Sequence, residues 1–163
     1  MKRVFSLLLF VFLTMSVVAQ QRMNFLGQPL GCSLATFKQR MVAKGYKYKG
    51  ELETNIHFFD GVFGGDNVTI GAIVTPKSKI VYEVLVGYTN VSGYSESKKD
   101  LLIKSFVNKY GDYDTENDRY TSWHFDYGRI TIDYQYYRTP PITIMYVDEL
   151  GEEMSEREEE SDY

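Results

Sequence analysis

The sequence predicts an α+β fold in which two α-β-β-β repeats form one antiparallel sheet with both helices on one face. Three observations lead there. Two segments carry apolar residues at helical spacing, and each is followed by three runs that alternate at period two. A short motif also recurs: Ile56-His57-Phe58-Phe59-Asp60-Gly61 beside Trp123-His124-Phe125-Asp126-Tyr127-Gly128. In each copy the histidine sits about a dozen residues beyond the glycine that ends the helix.

The first helix is expected from Leu34 to about Lys44. Ser33 is placed to cap it, Leu34, Phe37 and Met41 form its apolar stripe, and Gly45 stops it. Strands then follow at Thr54–Phe59, Val68–Val74 and Lys79–Tyr88, the last two joined through Thr75-Pro76-Lys77-Ser78. The second helix is expected from about Lys98 to Tyr110. Ser97 and Asp100 stand in capping-box spacing, and Leu102, Ile103, Phe106, Val107 and Tyr110 form the stripe ahead of Gly111. Its strands are Tyr120–Phe125, Arg129–Tyr137 and Ile142–Val147. Asp126-Tyr127-Gly128 makes a hairpin turn and Pro140-Pro141 an extended corner. Hairpin connections make the sheet antiparallel. A further short strand, Met23–Leu26, is expected at its edge. The Gly-rich stretch Gly61–Asn67 joins two strands rather than a strand to a helix, so it reads as a hairpin loop and not a phosphate cradle.

The chain has 163 residues, enough for one compact domain. Lys2 and Arg3 precede an uncharged apolar run, Val4 to Val18, and then Ala19. A run of this length spans about 22 Å as a helix, short of a ~30 Å hydrocarbon core. Residues 1–19 are therefore expected to be a signal peptide cleaved near Ala19, giving an exported protein, periplasmic or extracellular, with no membrane span. A lipidation site at Leu30-Gly31-Cys32 is rejected, because Pro29 occupies the place where a lipobox has leucine.

Residues 20–150 are expected to form one domain, with repeat one at about 23–90 and repeat two at about 95–148. Charge is divided unevenly. Residues 20–147 carry 15 basic and 13 acidic side chains, whereas residues 148–163 carry nine acids against Arg157 alone. The stretch 151–163 is expected to be a disordered, solubilising acidic tail, since its apolar area is too small to offset the entropy of ordering. A sharper reading has it masking Lys38, Arg40, Lys44, Lys47 and Lys49 in an envelope accessory protein. The body lacks the basic excess that nucleic-acid binding needs.

The segment Phe25-Leu26-Gly27-Gln28-Pro29-Leu30, followed by Leu34, Phe37 and Met41-Val42-Ala43-Lys44-Gly45-Tyr46, resembles a pattern in uncharacterised small secreted proteins of gut Bacteroidetes. Those begin with a strand, then G-x-P-[LI], then a helix ending in K-G-[YF]. Lys109-Tyr110-Gly111 and the later Trp-x-Phe strand fit the same pattern, so the resemblance spans most of residues 23–147. It implies a tandem α-β fold similar to the beta-lactamase-inhibitor-protein-like group, and it carries over no catalytic residue. Cys32 departs from it, standing where that family commonly has a polar residue.

Three sets of residues are candidates for function. His57 and His124 occupy matching places in the two repeats, with Asp60 and Asp126 close behind. Pseudosymmetric packing would bring them together as a polar site for a small hydrolase or metal-dependent enzyme. The plainer reading leaves both rings at the sheet rim. Cys32 precedes a helix N-terminus, where a thiolate is favoured, but no signature of a cysteine hydrolase surrounds it. Tyr120, Trp123, Tyr134, Tyr136, Tyr137 and Tyr146 crowd the second repeat, and adjacent Tyr136 and Tyr137 must face opposite ways. An aromatic-rich open sheet face suits a protein or glycan ligand. The leading expectation is thus an exported, non-catalytic binding domain that needs no metal and no cofactor.

Overall fold

The computed structural model describes residues 21–52, 55–88, 96–134 and 140–161. The expected signal peptide, Tyr136 and Tyr137 lie outside the described residues. Among the described residues the fold is α+β, with three helices, a large antiparallel sheet of eight strands and a separate two-stranded sheet.

The described residues open with a tight hairpin, β1 (Asn24–Phe25) and β2 (Gln28–Pro29). Its two central residues both take positive φ, Leu26 at 52° and Gly27 at 75°, the signature of a type I′ turn. The expected edge strand Met23–Leu26 is therefore a hairpin of its own and not a ninth strand of the main sheet. Helix α1 (Leu34–Ala43) starts where expected, with the Ser33 hydroxyl accepting from the Thr36 N–H at 3.3 Å. Phe37 and Met41 are buried, and Gly45 turns the chain out at a φ of 89°.

The sheet continues with β3 (Lys47–Leu52), β4 (Ile56–Phe63), β5 (Asp66–Val74) and β6 (Val81–Tyr88). Strand β3 is an edge strand, with nearly every residue exposed and a bulge between Tyr48 and Gly50. Gly64 and Gly65, at φ 60° and 90°, form the two-residue turn between β4 and β5. That hairpin is tighter than expected, because both strands run right up to the glycines. Helix α2 (Glu96–Tyr110) begins two residues early, so Ser97 lies inside its first turn and is not its cap. Leu102 and Phe106 are buried.

Four more strands follow: β7 (Thr115–Glu116), β8 (Tyr120–Phe125), β9 (Gly128–Tyr134) and β10 (Ile142–Asp148). The spatial order is β3-β4-β5-β6-β10-β9-β8-β7, every neighbouring pair antiparallel. The register sorts side chains into two faces. One face carries the rows Phe59, Ile70, Val86, Ile144, Ile132 and His57, Ala72, Val84, Tyr146, Ile130, Trp123, all buried. Phe37 of α1 packs edge-on against Phe59 at 5.9 Å, and Phe106 of α2 meets Trp123 at 5.6 Å and Tyr146 at 6.4 Å.

The acidic C-terminus departs from expectation. Residues Glu149–Glu160 form helix α3, where a disordered tail was expected from 151. Asp148, with no exposed side-chain surface, caps it by accepting from the Gly151 N–H at 3.0 Å. The same carboxylate accepts from the Met23 N–H at 3.0 Å and pairs with Arg22 at 2.8 Å, tying the start of the fold to its end. Glu149 and Glu152 lie in the first turn, where the helix dipole favours negative charge.

Helix α3 docks through small and ionic residues. Between Ile73↔Glu83 and Val74↔Val81 the register slips by one, leaving Tyr82 as an extra residue. Gly151 lies against it so closely that an added Cβ would come within 2.4 Å of the Tyr82 Cβ, and Ser155 hydrogen-bonds the Tyr82 hydroxyl. Arg129 donates to both oxygens of Glu152 at 2.7 and 2.6 Å. Farther along, Glu158 accepts from the Lys77 N–H at 2.7 Å and the Ser78 hydroxyl at 2.6 Å. The helix thus runs from the ends of β9 and β10 to the β5–β6 turn. Among the described residues its acids engage that turn and Arg129, and none pairs with Lys38, Arg40, Lys44, Lys47 or Lys49 of the masking reading.

Candidate functional site

The two histidines are far apart. His57 sits in the buried row with Ala72, Val84, Tyr146, Ile130 and Trp123, so its counterpart on β8 is Trp123 and not His124. The sequence echo is out of register by one residue, and a shift of one reverses the face. His124 is exposed and points to the other side, five strands away, about 24 Å at the usual strand spacing. The paired site is overturned by this register. Asp60 accepts from the Thr69 hydroxyl at 3.0 Å and faces Lys49 at 3.5 Å, while Asp126 stands exposed in the β8–β9 turn. Among the described residues, no three His, Cys, Asp or Glu side chains are grouped to hold a metal ion.

His57 has an environment of its own. Its Nδ1 lies 3.1 Å from the Tyr48 hydroxyl, and its Nε2 is 3.9 Å from Glu51. Burial, aided by the positive charge of Lys38 and opposed by Glu51, lowers its pKa below 6.5. The ring is thus held between the Tyr48 hydroxyl and the Glu51 carboxylate. Cys32 is half-buried and unpaired with any other cysteine. Burial raises its pKa despite Arg40, the opposite of what a thiolate nucleophile needs.

The aromatic set divides. Trp123, Tyr134 and Tyr146 are at most 3% exposed and belong to the core, so they cannot form an open binding face. Trp123 donates from its indole nitrogen to the Gly111 carbonyl at 2.9 Å, and the Tyr134 hydroxyl to the Asn117 carbonyl at 2.8 Å. Of the described members only Tyr120 is exposed. Trp123 and Tyr134 alternate in phase with the buried rows, and pleating sends them inward.

The opposite face of the sheet holds a different set. Leu52 pairs with Ile56 and Ile56 with Ile73, while Phe58, Gly71, Leu85 and Met145 continue one another across four strands. Leu52 is 62% exposed, and Ile56, Phe58, Ile73, Leu85 and Met145 are half-buried. The Phe58 ring lies beside Gly71, 3.6 Å from where a Cβ would stand, an ordinary contact distance. One end of this strip abuts α3 through the Glu83, Arg129 and Glu152 group, where burial raises the Glu83 pKa against the pull of Arg129. The other end is bounded by Pro140, which lies over Gly87. No single-residue sequence signal marked this strip; the alternation of Ile56, Phe58 and Leu85 with core residues could have done so.

No helix among the described residues is long and apolar enough to cross a membrane. No family model, no curated protein and no solved structure matches the chain.

Proposed function

We propose that the chain is an exported, non-catalytic binding domain that meets a protein partner through the second face of its sheet. The observation that carries this is the apolar strip from Leu52 to Met145, set in cross-strand register on a face that α3 and Pro140 flank. Contiguous apolar surface between polar margins suits protein association. The side chains are aliphatic apart from Phe58, and sugar rings stack best on exposed Trp and Tyr. The burial of Trp123, Tyr134 and Tyr146 therefore favours protein over glycan. Export rests on Lys2, Arg3 and the apolar run that follows them.

The same reading treats the fold as two copies of one α-β unit with both helices on one side. It is supported by the mirrored strand order about the β6–β10 seam, and by α1 and α2 each contacting the buried rows. The likeness to the beta-lactamase-inhibitor-protein-like group rests on the sequence motifs. The test is affinity capture from the native culture with wild type, Leu52→Asp and Leu85→Ser, using Val42→Asp on exposed α1 as control. Loss of the captured protein with the two strip variants, and its retention with the control, is expected. Identical capture by all four folded proteins overturns the assignment.

A further inference from the structure

Going beyond the sheet-face reading, the geometry points to a small-molecule site: a cleft between α2 and the β4–β5 turn that takes an amphipathic carboxylate. The cleft encloses about 420 Å³, within the range of ligand pockets. One face of α2 makes its wall, with Lys98, Leu101, Ser105, Phe106 and Lys109 recurring at helical spacing. Phe63 and Gly64 of the β4–β5 hairpin form the facing side, and Tyr88 and Tyr146 also line it.

Each part of that ligand answers a feature of the lining. Tyr88 and Tyr146 are 1% and 3% exposed, yet neither hydroxyl has a hydrogen-bond partner among the described residues. Neither oxygen is among the fully buried polar atoms that lack a partner, so each keeps a small accessible surface where its residue lines the cleft. Burial holds both phenols protonated far above neutral pH, so both present a neutral O–H to the cleft and no negative charge that would repel an anion. Phe63, Leu102 and Phe106 offer apolar contact for a chain or ring. Leu101 is 64% exposed at the rim, where a bound apolar body would cover it. The two cations differ: Lys98 pairs with Asp66, whereas Lys109 rests over the Tyr110 ring and meets no carboxylate among the described residues. A ligand carboxylate at Lys109 supplies that charge.

The experiment is displacement of the fluorescent anion 1-anilinonaphthalene-8-sulfonate from the folded chain by decanoate and, separately, by decanol. Saturable displacement by decanoate is expected, with decanol several-fold weaker. Ser105→Trp, an exposed position whose new ring fills the cleft, should weaken decanoate at least about tenfold. Lys109→Gln should weaken decanoate about threefold to fivefold and leave decanol unchanged, as one partly screened ion pair would. Tyr146→Phe, which removes only the hydroxyl, should weaken both ligands. Should Ser105→Trp fail to fold, the Lys109 and Tyr146 variants still decide. Equal binding of decanol and decanoate, or decanoate binding that survives in folded Ser105→Trp, overturns the site. Both results are independent of protein capture by the sheet face.

Discussion

At the scale of single residues, the fold makes its sharpest commitment at His57. An imidazole in a row of Ala72, Val84 and Tyr146 has little water to stabilise its charge, and Lys38 adds repulsion. Its pKa in the folded chain therefore lies below the ordinary 6.5. Between the lowered value and 6.5 the unfolded chain binds more protons than the folded one, so stability rises with pH through that window. The contribution is fully present above 6.5 and lost as pH falls toward the folded value. Urea midpoints measured from about pH 7.5 down to about pH 5 should fall for wild type, and the slope should flatten in His57→Gln. A slope unchanged by the substitution would assign the pH dependence elsewhere. The same site shows why the histidine pair misled. The echo aligned letters, but the hydrogen-bond ladder aligns His57 with Trp123, and one residue of slip is a whole face.

At the scale of elements, what the sequence makes legible is what hydrophobic period encodes. Helix α1 with its Ser33 cap, the body of α2 and six of the main-sheet strands follow from apolar spacing. Strand β3 escaped because Lys47-Tyr48-Lys49-Gly50-Glu51-Leu52 is an exposed edge with no buried stripe to betray it. Helix α3 escaped for a related reason. Its docking face is Gly151, Ser155 and ionic Glu152 and Glu158, so a search for apolar stripes finds only a run of acids. The strip of the second face was hidden because its residues read as ordinary strand alternation. Because α3 is held by charge, its docking should answer to charge. Arg129→Met removes both bonds to Glu152 and leaves Glu83 and Glu152 facing each other without their cation. The cost should be about 1–2 kcal/mol, given that the pair is partly exposed. Thermal unfolding checks the magnitude, and amide exchange over 149–160 should rise before that of the β strands. Uniform exchange throughout would mean that α3 does not open on its own.

At the scale of the whole molecule, the seam between β6 and β10 decides whether the chain behaves as one body or two. Five residue pairs, Thr143↔Gly87 through Val147↔Glu83, stitch residues 47–88 to residues 115–148. Val86 and Ile144 face each other there, fully buried, and continue the row from Phe59 to Ile132 without a break. Phe25 adds a second tie, packing on Phe63 at 6.0 Å and Tyr146 at 5.1 Å. A core that crosses the seam in this way should unfold in one step. Ile144→Ala opens a cavity at the seam and should cost about 2–5 kcal/mol, lowering both halves together. The chain carries its own reporters. Trp123, the single tryptophan, follows the second half by fluorescence, and the His57 ring protons follow the first by NMR. Coincident melting of the two signals in wild type and in Ile144→Ala is the expected outcome. If the variant instead separates them, so that the tryptophan signal melts while His57 stays buried, the two halves hold their structure independently and the continuous sheet is a docking of two units.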